Sequence, residues 1–256
     1  MKHFFFTVDD NIRFLKELNN GSCDSIFSHP YPAMYKRLHD ELGVKVQLNL
    51  FYRAEDFDLS EMTDKFKDEW RENSDWLKLS FHSDIENIRP YEFSPYGEVY
   101  GHCQAVHREI IRFASEASLG KTTTVHYCRT TPDGTRALYD NGIRGLLGLY
   151  GDDDHPRASY SLDEISAGKI RHGEIVKING MSHGPIDIVL NDFSKPDVEN
   201  MLASLIGRER IWIMIHEQYF YPDFDRYIPD FEQRLREYFT LLLQNGYQSR
   251  HFEEDI

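Results

Sequence analysis

The feature that most constrains this chain is a repeated alternation of short apolar strands with amphipathic helices. Phe4 to Val8 has the pattern of a buried strand, and apolar residues at helical spacing follow from Ile12 to Leu18. Further units of the same kind bring the total to about seven. Because parallel strands need crossover connections, the alternation predicts an α/β fold. The number of units favours a distorted (β/α) barrel with about seven parallel strands over an open sheet.

The remaining elements are predicted from the same periodicities and from turn residues at their ends. Strands are expected at residues 44–51, 77–81, 122–127, 143–149, 186–190 and 211–215, and helices at 30–42, 106–117, 135–141, 196–206 and 231–243. The segment Gly151 to Ser182, rich in Asp, Gly and His, interrupts the alternation. We interpret it as an insertion that forms a small hairpin or a lid. Residues 1–256 are expected to form a single domain with this one insertion.

Charge excludes some classes of partner. The 256 residues carry a formal net charge of -14, which repels phosphate backbones and anionic lipid headgroups. We therefore expect neither nucleic acid nor a membrane as a partner. A neutral or cationic small ligand suits the charge better, and the 17 Phe and 15 Tyr provide aromatic material for a core and for the walls of a pocket.

Cysteine content and the amino-terminal residues bear on the compartment. The three cysteines, Cys23, Cys103 and Cys128, leave one unpaired in any disulfide scheme and form no Cys-x-x-Cys motif. The first ten residues lack the apolar core of a secretion signal, and no apolar run has the length of a membrane span. These observations favour a cytoplasmic protein.

Ionisable residues follow four of the predicted strands. In parallel α/β folds the ligand site lies at the carboxyl ends of the strands, so residues at these positions are expected to converge on one edge. The pairs are Asp9 and Asp10, His82 and Glu86, His126 and Arg129, and His216 and Glu217.

Adjacent carboxylates and a nearby imidazole are typical of a metal-assisted hydrolytic site. Asp9 and Asp10 cannot point the same way, so one can bind a metal while the other lies beside a water molecule. The alternative is that the pair caps a helix beginning near Asn11. His82 and Glu86 are four residues apart, which on a helical turn brings both to one side, and zinc accepts this nitrogen and oxygen mixture. The alternative there is an ordinary surface pair.

The motifs resemble, in order, those of the polysaccharide deacetylases with the NodB homology domain. Thr7-Val8-Asp9-Asp10 is similar to the family's first motif, and His82-Ser83 to its second, with Glu86 where a second His would stand. Arg129-Thr130-Thr131-Pro132 is loosely similar to the third motif, and Met214-Ile215-His216 to the last. The fourth motif, built on an Asp and a Trp, is poorly matched, because residues 187–193 contain no Trp.

The resemblance implies a fold, a reaction and a role for each matched residue. The fold is a distorted barrel of about seven strands, and the reaction is deacetylation of N-acetylated sugars with a bound divalent metal, for which we expect zinc. Asp10 and His82 would be metal ligands. Asp9 would be the base that activates the attacking water, and His216 the acid that protonates the leaving amine.

Two assignments stay open on the sequence. If Thr122, Thr124 and His126 alternate on one face of a strand, His126 can point into the barrel, so either His126 or Glu86 is the third protein ligand. His126 as a buried residue satisfied by hydrogen bonds is the alternative. Arg129 is a candidate for orienting Asp9 and keeping it ionised, or an ordinary surface ion-pair residue.

Three functions follow from these residues. We favour a metal-dependent hydrolase that removes an N-acetyl group from a small or carrier-linked amino sugar. The second is a metal-independent hydrolase of small amides on the same fold. The third is a carbohydrate-binding relative without turnover. Metal content separates the first two, and the effect of Asp9→Asn on turnover and on sugar binding identifies the third.

Overall fold

The computed structural model describes residues 1–86, 91–150 and 159–256. The strands are β1 (Lys2–Asn11), β2 (Val46–Phe51), β3 (Arg53–Ala54), β4 (Phe57–Asp58), β5 (Leu77–Ser83), β6 (Thr122–Thr123), β7 (Gly145–Gly148), β8 (Val176–Ile178), β9 (Met181–Pro185), β10 (Ile188–Val189), β11 (Arg210–His216) and β12 (Tyr247–Ser249). The helices are α1 (Arg13–Asn20), α2 (Pro30–Leu42), α3 (Lys67–Glu72), α4 (Tyr96–Phe113), α5 (Pro132–Asp140), α6 (Glu164–Arg171), α7 (Lys195–Leu205) and α8 (Phe231–Gln244).

The central strands are parallel and form two hydrogen-bonded sheets. One has the order β10-β11-β1-β2-β5, with β12 also pairing with β1, and the other has the order β6-β7-β9-β8. Only β8 runs antiparallel to its neighbour in these two sheets, and β3 and β4 form a separate antiparallel hairpin. In these two sheets β1, β2, β5, β6, β7, β9, β10, β11 and β12 each run parallel to at least one neighbour. The prediction of a distorted (β/α) barrel is confirmed.

A few backbone hydrogen bonds join the two sheets. On one side the amide of Gly120 donates to the carbonyl of Leu79 at 2.8 Å. On the other, the amide of Ile186 donates to Gly148 at 2.7 Å and that of Asp187 to Trp212 at 3.0 Å. The ladders are short at these joints, so the barrel is irregular there.

Alternating side chains on β1 fill two different cores. Phe4 and Phe6 face the helices, where both rings contact Phe239 of α8. Phe5 points the other way and packs with Trp212 in a second apolar cluster inside the barrel. Because successive strand residues face opposite sides, the continuous apolar run at the start of the chain is what a strand buried on both faces requires.

Several boundaries differ from those predicted. The strand expected at 122–127 ends at Thr123, and His126 lies in a short 3₁₀ turn. Helix α4 begins at Tyr96, ten residues before the expected start. Strands β9 and β12 were not predicted, because both are short and β9 contains Gly and Pro.

The segment expected to be an insertion or lid lies only partly within the described residues, since 151–158 fall outside them. From Ser159 onward it holds a 3₁₀ turn, helix α6 and strand β8, and its last two residues belong to β9. Its role as a lid stays a prediction. No helix among the described residues is long and apolar enough to cross a membrane.

Candidate metal centre and active site

The first strand brings two adjacent carboxylates to the same end of the barrel. Pairing of β1 with β2 shifts register between Val8 and Asn11. Within this irregularity Asp10 takes a left-handed backbone conformation, with φ of 63°. Such a conformation is unfavourable for most residues but tolerated by Asp. As a result Asp9 and Asp10 both line one cavity instead of facing opposite sides of the strand.

Side chains from β1, from β5 and from the 3₁₀ turn after β6 converge on one point. Oδ1 of Asp10 lies 3.0 Å from Nε2 of His82 and 3.4 Å from Nδ1 of His126. The two imidazole nitrogens are 3.1 Å apart. These residues form a group of potential metal ligands among the described part of the chain.

Backbone carbonyls determine which nitrogen of each histidine carries the proton. Nδ1 of His82 lies 2.5 Å from the carbonyl of Thr124, and Nε2 of His126 lies 2.8 Å from the carbonyl of Glu86. A carbonyl only accepts, so each of these nitrogens must donate. In the neutral rings, Nε2 of His82 and Nδ1 of His126 therefore present lone pairs to each other and to the Asp10 carboxylate. Three converging acceptors with no hydrogen between them repel one another, so the group needs a positive charge, either a proton on one of the rings or a bound cation.

The spacing suits a divalent cation. Ligand atoms about 2.0–2.2 Å from a tetrahedral cation lie about 3.3–3.6 Å apart. The distances of 3.0, 3.1 and 3.4 Å between the three atoms are close to this range. Carbonyl partners behind metal-binding histidines are also the usual way in which their orientation is set. The donor set of one carboxylate and two imidazoles therefore fits a zinc-like ion.

Electrostatics at the site favour positive charge. Burial alone would lower the pKa of His82, but the charge of Asp9 and the hydrogen bond and charge of Asp10 raise it. Burial alone would raise the pKa of Asp10, but hydrogen bonds from His126 and His82 hold it well below its usual value. Asp10 is thus ionised.

Asp9 is almost completely buried and held by an amide. Its exposed fraction is 1%, and its Oδ1 accepts a hydrogen bond of 2.7 Å from Nδ2 of Asn49. Burial raises the pKa of Asp9 against the opposing charges of His82 and His216 and the bond from Asn49. A carboxylate with a raised pKa next to a metal site is suited to accept a proton near neutral pH.

His216 lines the same cavity and lies beside Asp9, its register partner on the neighbouring strand. Its Nε2 is 4.0 Å from Oδ2 of Asp10. Its Nδ1 and its backbone amide lie 2.8 and 3.2 Å from Oδ1 of Asn191, so Nδ1 carries the proton and Nε2 faces the site. Oδ2 of Asp10 accepts a hydrogen bond of 2.9 Å from Nε2 of Gln218.

The other predicted residues take different positions. Glu86 lines the cavity, but its side chain is exposed and is not among the three converging ligands of the described residues. Arg129 also lines the cavity and pairs with Glu92 at 3.1 Å. Of the two alternatives for Arg129, this ion pair agrees with the second, and Asn49 is the residue that donates to Asp9.

Glu217, directly after β11, links that strand to helix α1. Its buried carboxylate accepts hydrogen bonds of 2.7 to 3.0 Å from the backbone amides of Ile12, Arg13 and Phe14. These amides form the start of α1, which has no side-chain cap of its own. Glu217 is thus a structural residue that sets where its neighbours His216 and Gln218 lie.

Asn49 and Asn191 were not identified from the sequence. Asn49 alternates with Gln47 in the otherwise apolar strand 46–51, and both side chains are buried. A buried amide in an apolar strand needs a hydrogen-bond partner, so this alternation was a usable signal. Asn191 follows the short strand β10 and carries no comparable pattern.

The ligand cluster opens into a cavity of about 580 Å³. Asp9, Asp10, His82, His126 and His216 all line it. This volume lies in the usual range of ligand pockets, about 300–1,000 Å³. The cavity is therefore the candidate active site.

The sequence matches no protein-family model and no curated protein. The structure is similar to a 4-α-glucanotransferase from Thermococcus litoralis, with a TM-score of 0.61 and 14% identity over 99% of this chain and 40% of the transferase. This chain therefore corresponds to less than half of that protein.

Two further similar structures, one of a carbohydrate esterase and one of a deacetylase, align with this chain over most of their own length. A family 4 acetyl xylan esterase from Clostridium thermocellum, solved with a cobalt ion, has a TM-score of 0.53 and 13% identity over 99% of this chain and 89% of the esterase. A peptidoglycan N-acetylglucosamine deacetylase, solved with a substituted benzamide, has a TM-score of 0.55 and 12% identity over 98% of this chain and 86% of the deacetylase. The chain has the fold of the polysaccharide deacetylases.

Proposed function

We propose that the protein is a metal-dependent hydrolase that removes an acetyl group from an amino sugar. The observation that carries the proposal is the convergence of Asp10, His82 and His126. Their three facing atoms lie within 3.4 Å of one another, and the tautomers leave lone pairs directed at a common point. Asp10, His82 and His126 would hold the divalent cation, for which zinc is our first choice.

Asp9 is the proposed general base. Amide hydrolysis needs an activated water, a stabilised oxyanion and a proton for the leaving nitrogen. A divalent cation supplies acidity to water and polarises a carbonyl oxygen. Asp9, with its pKa raised by burial, takes the proton from the attacking water, while Asn49 keeps the carboxylate oriented.

His216 is the proposed general acid. Asn191 holds Nδ1, which leaves Nε2 facing the cavity. In the imidazolium form both ring nitrogens carry a proton, so Nε2 donates one to the leaving amine and the ring returns to its neutral form with the Nδ1 proton held by Asn191. Asp9 and His216 are register partners on the adjacent strands β1 and β11, so a group that accepts a proton and a group that delivers one line the same cavity.

The similar structures supply context for this choice. The acetyl xylan esterase was solved with a cobalt ion, and the second neighbour is named as an N-acetylglucosamine deacetylase. The glucanotransferase has the same fold but suggests another reaction. Glycoside cleavage uses two carboxylates that flank the scissile bond. Here Asp10 already contacts His82 and Gln218, which favours deacetylation over glycoside cleavage.

The proposed substrate is a small or carrier-linked N-acetylated sugar. Aromatic and polar groups at the cavity, such as Tyr127, 55% exposed, can contact the apolar face and the hydroxyls of a sugar ring. Arg129 and Arg226 also line the cavity and add donors at its edge.

Metal analysis of purified protein tests the metal site. The parent, Asp10→Ala and His126→Ala are reconstituted with zinc and dialysed, with His172→Ala, at the residue that follows α6, as the control. We expect about one zinc per chain in the parent and the control, and strong loss in the two site variants. Equal zinc content in all four proteins would refute the assigned ligands.

Acetate release from N-acetylated sugars tests the reaction. We expect turnover by the zinc-loaded parent, loss of turnover on chelation, and loss of turnover in Asp9→Asn with zinc retained. Turnover that survives chelation would instead support a metal-independent hydrolase. Sugar binding that is equal in the parent and in Asp9→Asn, without turnover in either, would support a binding protein.

A further inference from the structure

A second cavity lies outside the barrel, on the helix side of β9. Its volume is about 540 Å³, similar to that of the candidate active site. Helix α5, the turn after Ser159 and the β8–β9 hairpin contribute its walls, through residues that include Thr135, Tyr139, Tyr160, Leu162, Met181 and His183. None of these residues is among the metal ligands or the proton-transfer groups proposed above.

Two polar groups at this cavity have no hydrogen-bond partner among the described residues. His183 is 1% exposed, and its Nδ1 is one of these groups. The hydroxyl of Thr135 is also buried and unpaired. An unpaired polar group in the interior costs about 1–3 kcal/mol, so native structures usually satisfy such groups with protein, water or ligand.

The cavity does not favour a charged ligand at His183. Burial lowers the pKa of His183 to about 4, so the imidazole is neutral at physiological pH. Leu162, Ile178 and Met181 make the neighbouring wall apolar. The charged lining residues include Asp133 and Arg136, which pair with each other at 3.3 Å.

The wall shared with the active site is held in place. The hydroxyl of Tyr160 accepts a hydrogen bond of 3.2 Å from the amide of Val125 and donates one of 2.5 Å to the carbonyl of Leu147. Ser159 lines the active-site cavity, whereas Tyr160 and Ser161 line the second one. The second cavity is thus a preformed neighbour of the active site, separated from it by this turn.

We propose that this second cavity is a binding site for an uncharged carbohydrate of one or two sugar units. A hydroxyl group both donates and accepts, so it satisfies His183 in either tautomer and also Thr135. The apolar face of a sugar ring matches the aliphatic and aromatic wall, while amide and carboxylate groups at the cavity bind outward hydroxyls. Asn179 and Asp163 line the cavity and can serve in this way.

Histidine ring signals test the proposal. Zinc-reconstituted protein labelled with nitrogen-15 in its histidines is titrated with cellobiose and separately with maltose, neither of which carries an acetyl group. We expect at least one of them to shift the ring nitrogens of His183 in a saturable way. A titration that leaves the His183 signals unchanged with both sugars means that water alone fills the cavity, and it overturns the proposal.

Two variants and one matched control locate the site. Leu162→Trp fills the cavity and should weaken binding by at least about tenfold, whereas Ile165→Trp, at a position 75% exposed on α6, should not. Thr135→Val removes one neutral hydrogen bond and should weaken binding about two- to tenfold. Equal affinity in Leu162→Trp and Ile165→Trp would place the sugar elsewhere and overturn the proposal. These results do not depend on whether the active site is a deacetylase.

Discussion

Replacing Asn49 by Leu removes the hydrogen bond that its amide donates to Asp9, the proposed base. The bond is 2.7 Å long and both partners are buried. A hydrogen bond to a charged group contributes about 1.5–3 kcal/mol, and one pKa unit corresponds to about 1.4 kcal/mol. The pKa of Asp9, already raised by burial, should therefore rise by about one to two further units in Asn49→Leu.

The pH dependence of kcat/KM for acetate release measures this shift. A general base is active when ionised, so the acid limb of the profile should move to higher pH by one to two units. At pH values below the acid limbs of both the parent and the variant, kcat/KM of the variant should be about 10- to 100-fold lower than that of the parent. On the plateau at higher pH, the variant should recover most of the parent's kcat/KM.

A matched substitution controls for lost stability. Asn73→Leu removes the same amide from the end of α3, where it bonds the carbonyl of Glu69 and the indole of Trp76. It should lower stability without moving the pH profile. If Asn49→Leu leaves the acid limb where it is in the parent, Asn49 does not tune Asp9 and the reasoning fails.

Three further predictions concern other parts of the molecule. Asn191→Ala removes the partner of His216 and should lower kcat about tenfold with zinc content unchanged, as measured by steady-state kinetics and elemental analysis. Burial lowers the pKa of His251 from 6.5 to about 3, so the unfolded state binds its proton first and stability falls as pH falls through this window. In urea titrations, His251→Gln should reduce that loss by about 1.4 kcal/mol per pH unit, and an unchanged slope would contradict it. Gly145→Ala places a Cβ 2.8 Å from Phe252 and Thr122 and should destabilise the barrel by about 1–3 kcal/mol, whereas Gly101→Ala, with nothing within 4 Å, should stabilise α4 by about 0.5–1 kcal/mol.

Position relative to the strands predicted much of the site. Asp9, Asp10, His82 and His216 line one cavity, as expected of residues at the carboxyl ends of parallel strands. The expectation that ligand sites lie at the carboxyl ends of parallel strands needs only the order of strands and helices, which local periodicity reveals. It requires no knowledge of how the barrel is distorted.

The same reasoning could not choose between Glu86 and His126. A spacing of four residues aligns two side chains only on a helix, and His82 lies within strand β5. His126 reaches the cluster although the strand alternation expected for it ends at Thr123. A 3₁₀ turn and a left-handed Tyr127, with φ of 61°, place it there, and neither has a pattern that can be read from local periodicity.

The sequence by itself determined the alternation of strands and helices, the two-sided burial of the first strand and the edge at which ionisable residues gather. These depend on local periodicity and on the handedness and direction of parallel connections. Tertiary structure decided which three side chains share one point, which amides hold Asp9 and His216, and where a second cavity opens beside His183. Those outcomes depend on distances of a few tenths of an ångström between residues far apart in the chain, and on irregular backbone at Asp10 and Tyr127 that only packing against the rest of the fold can stabilise.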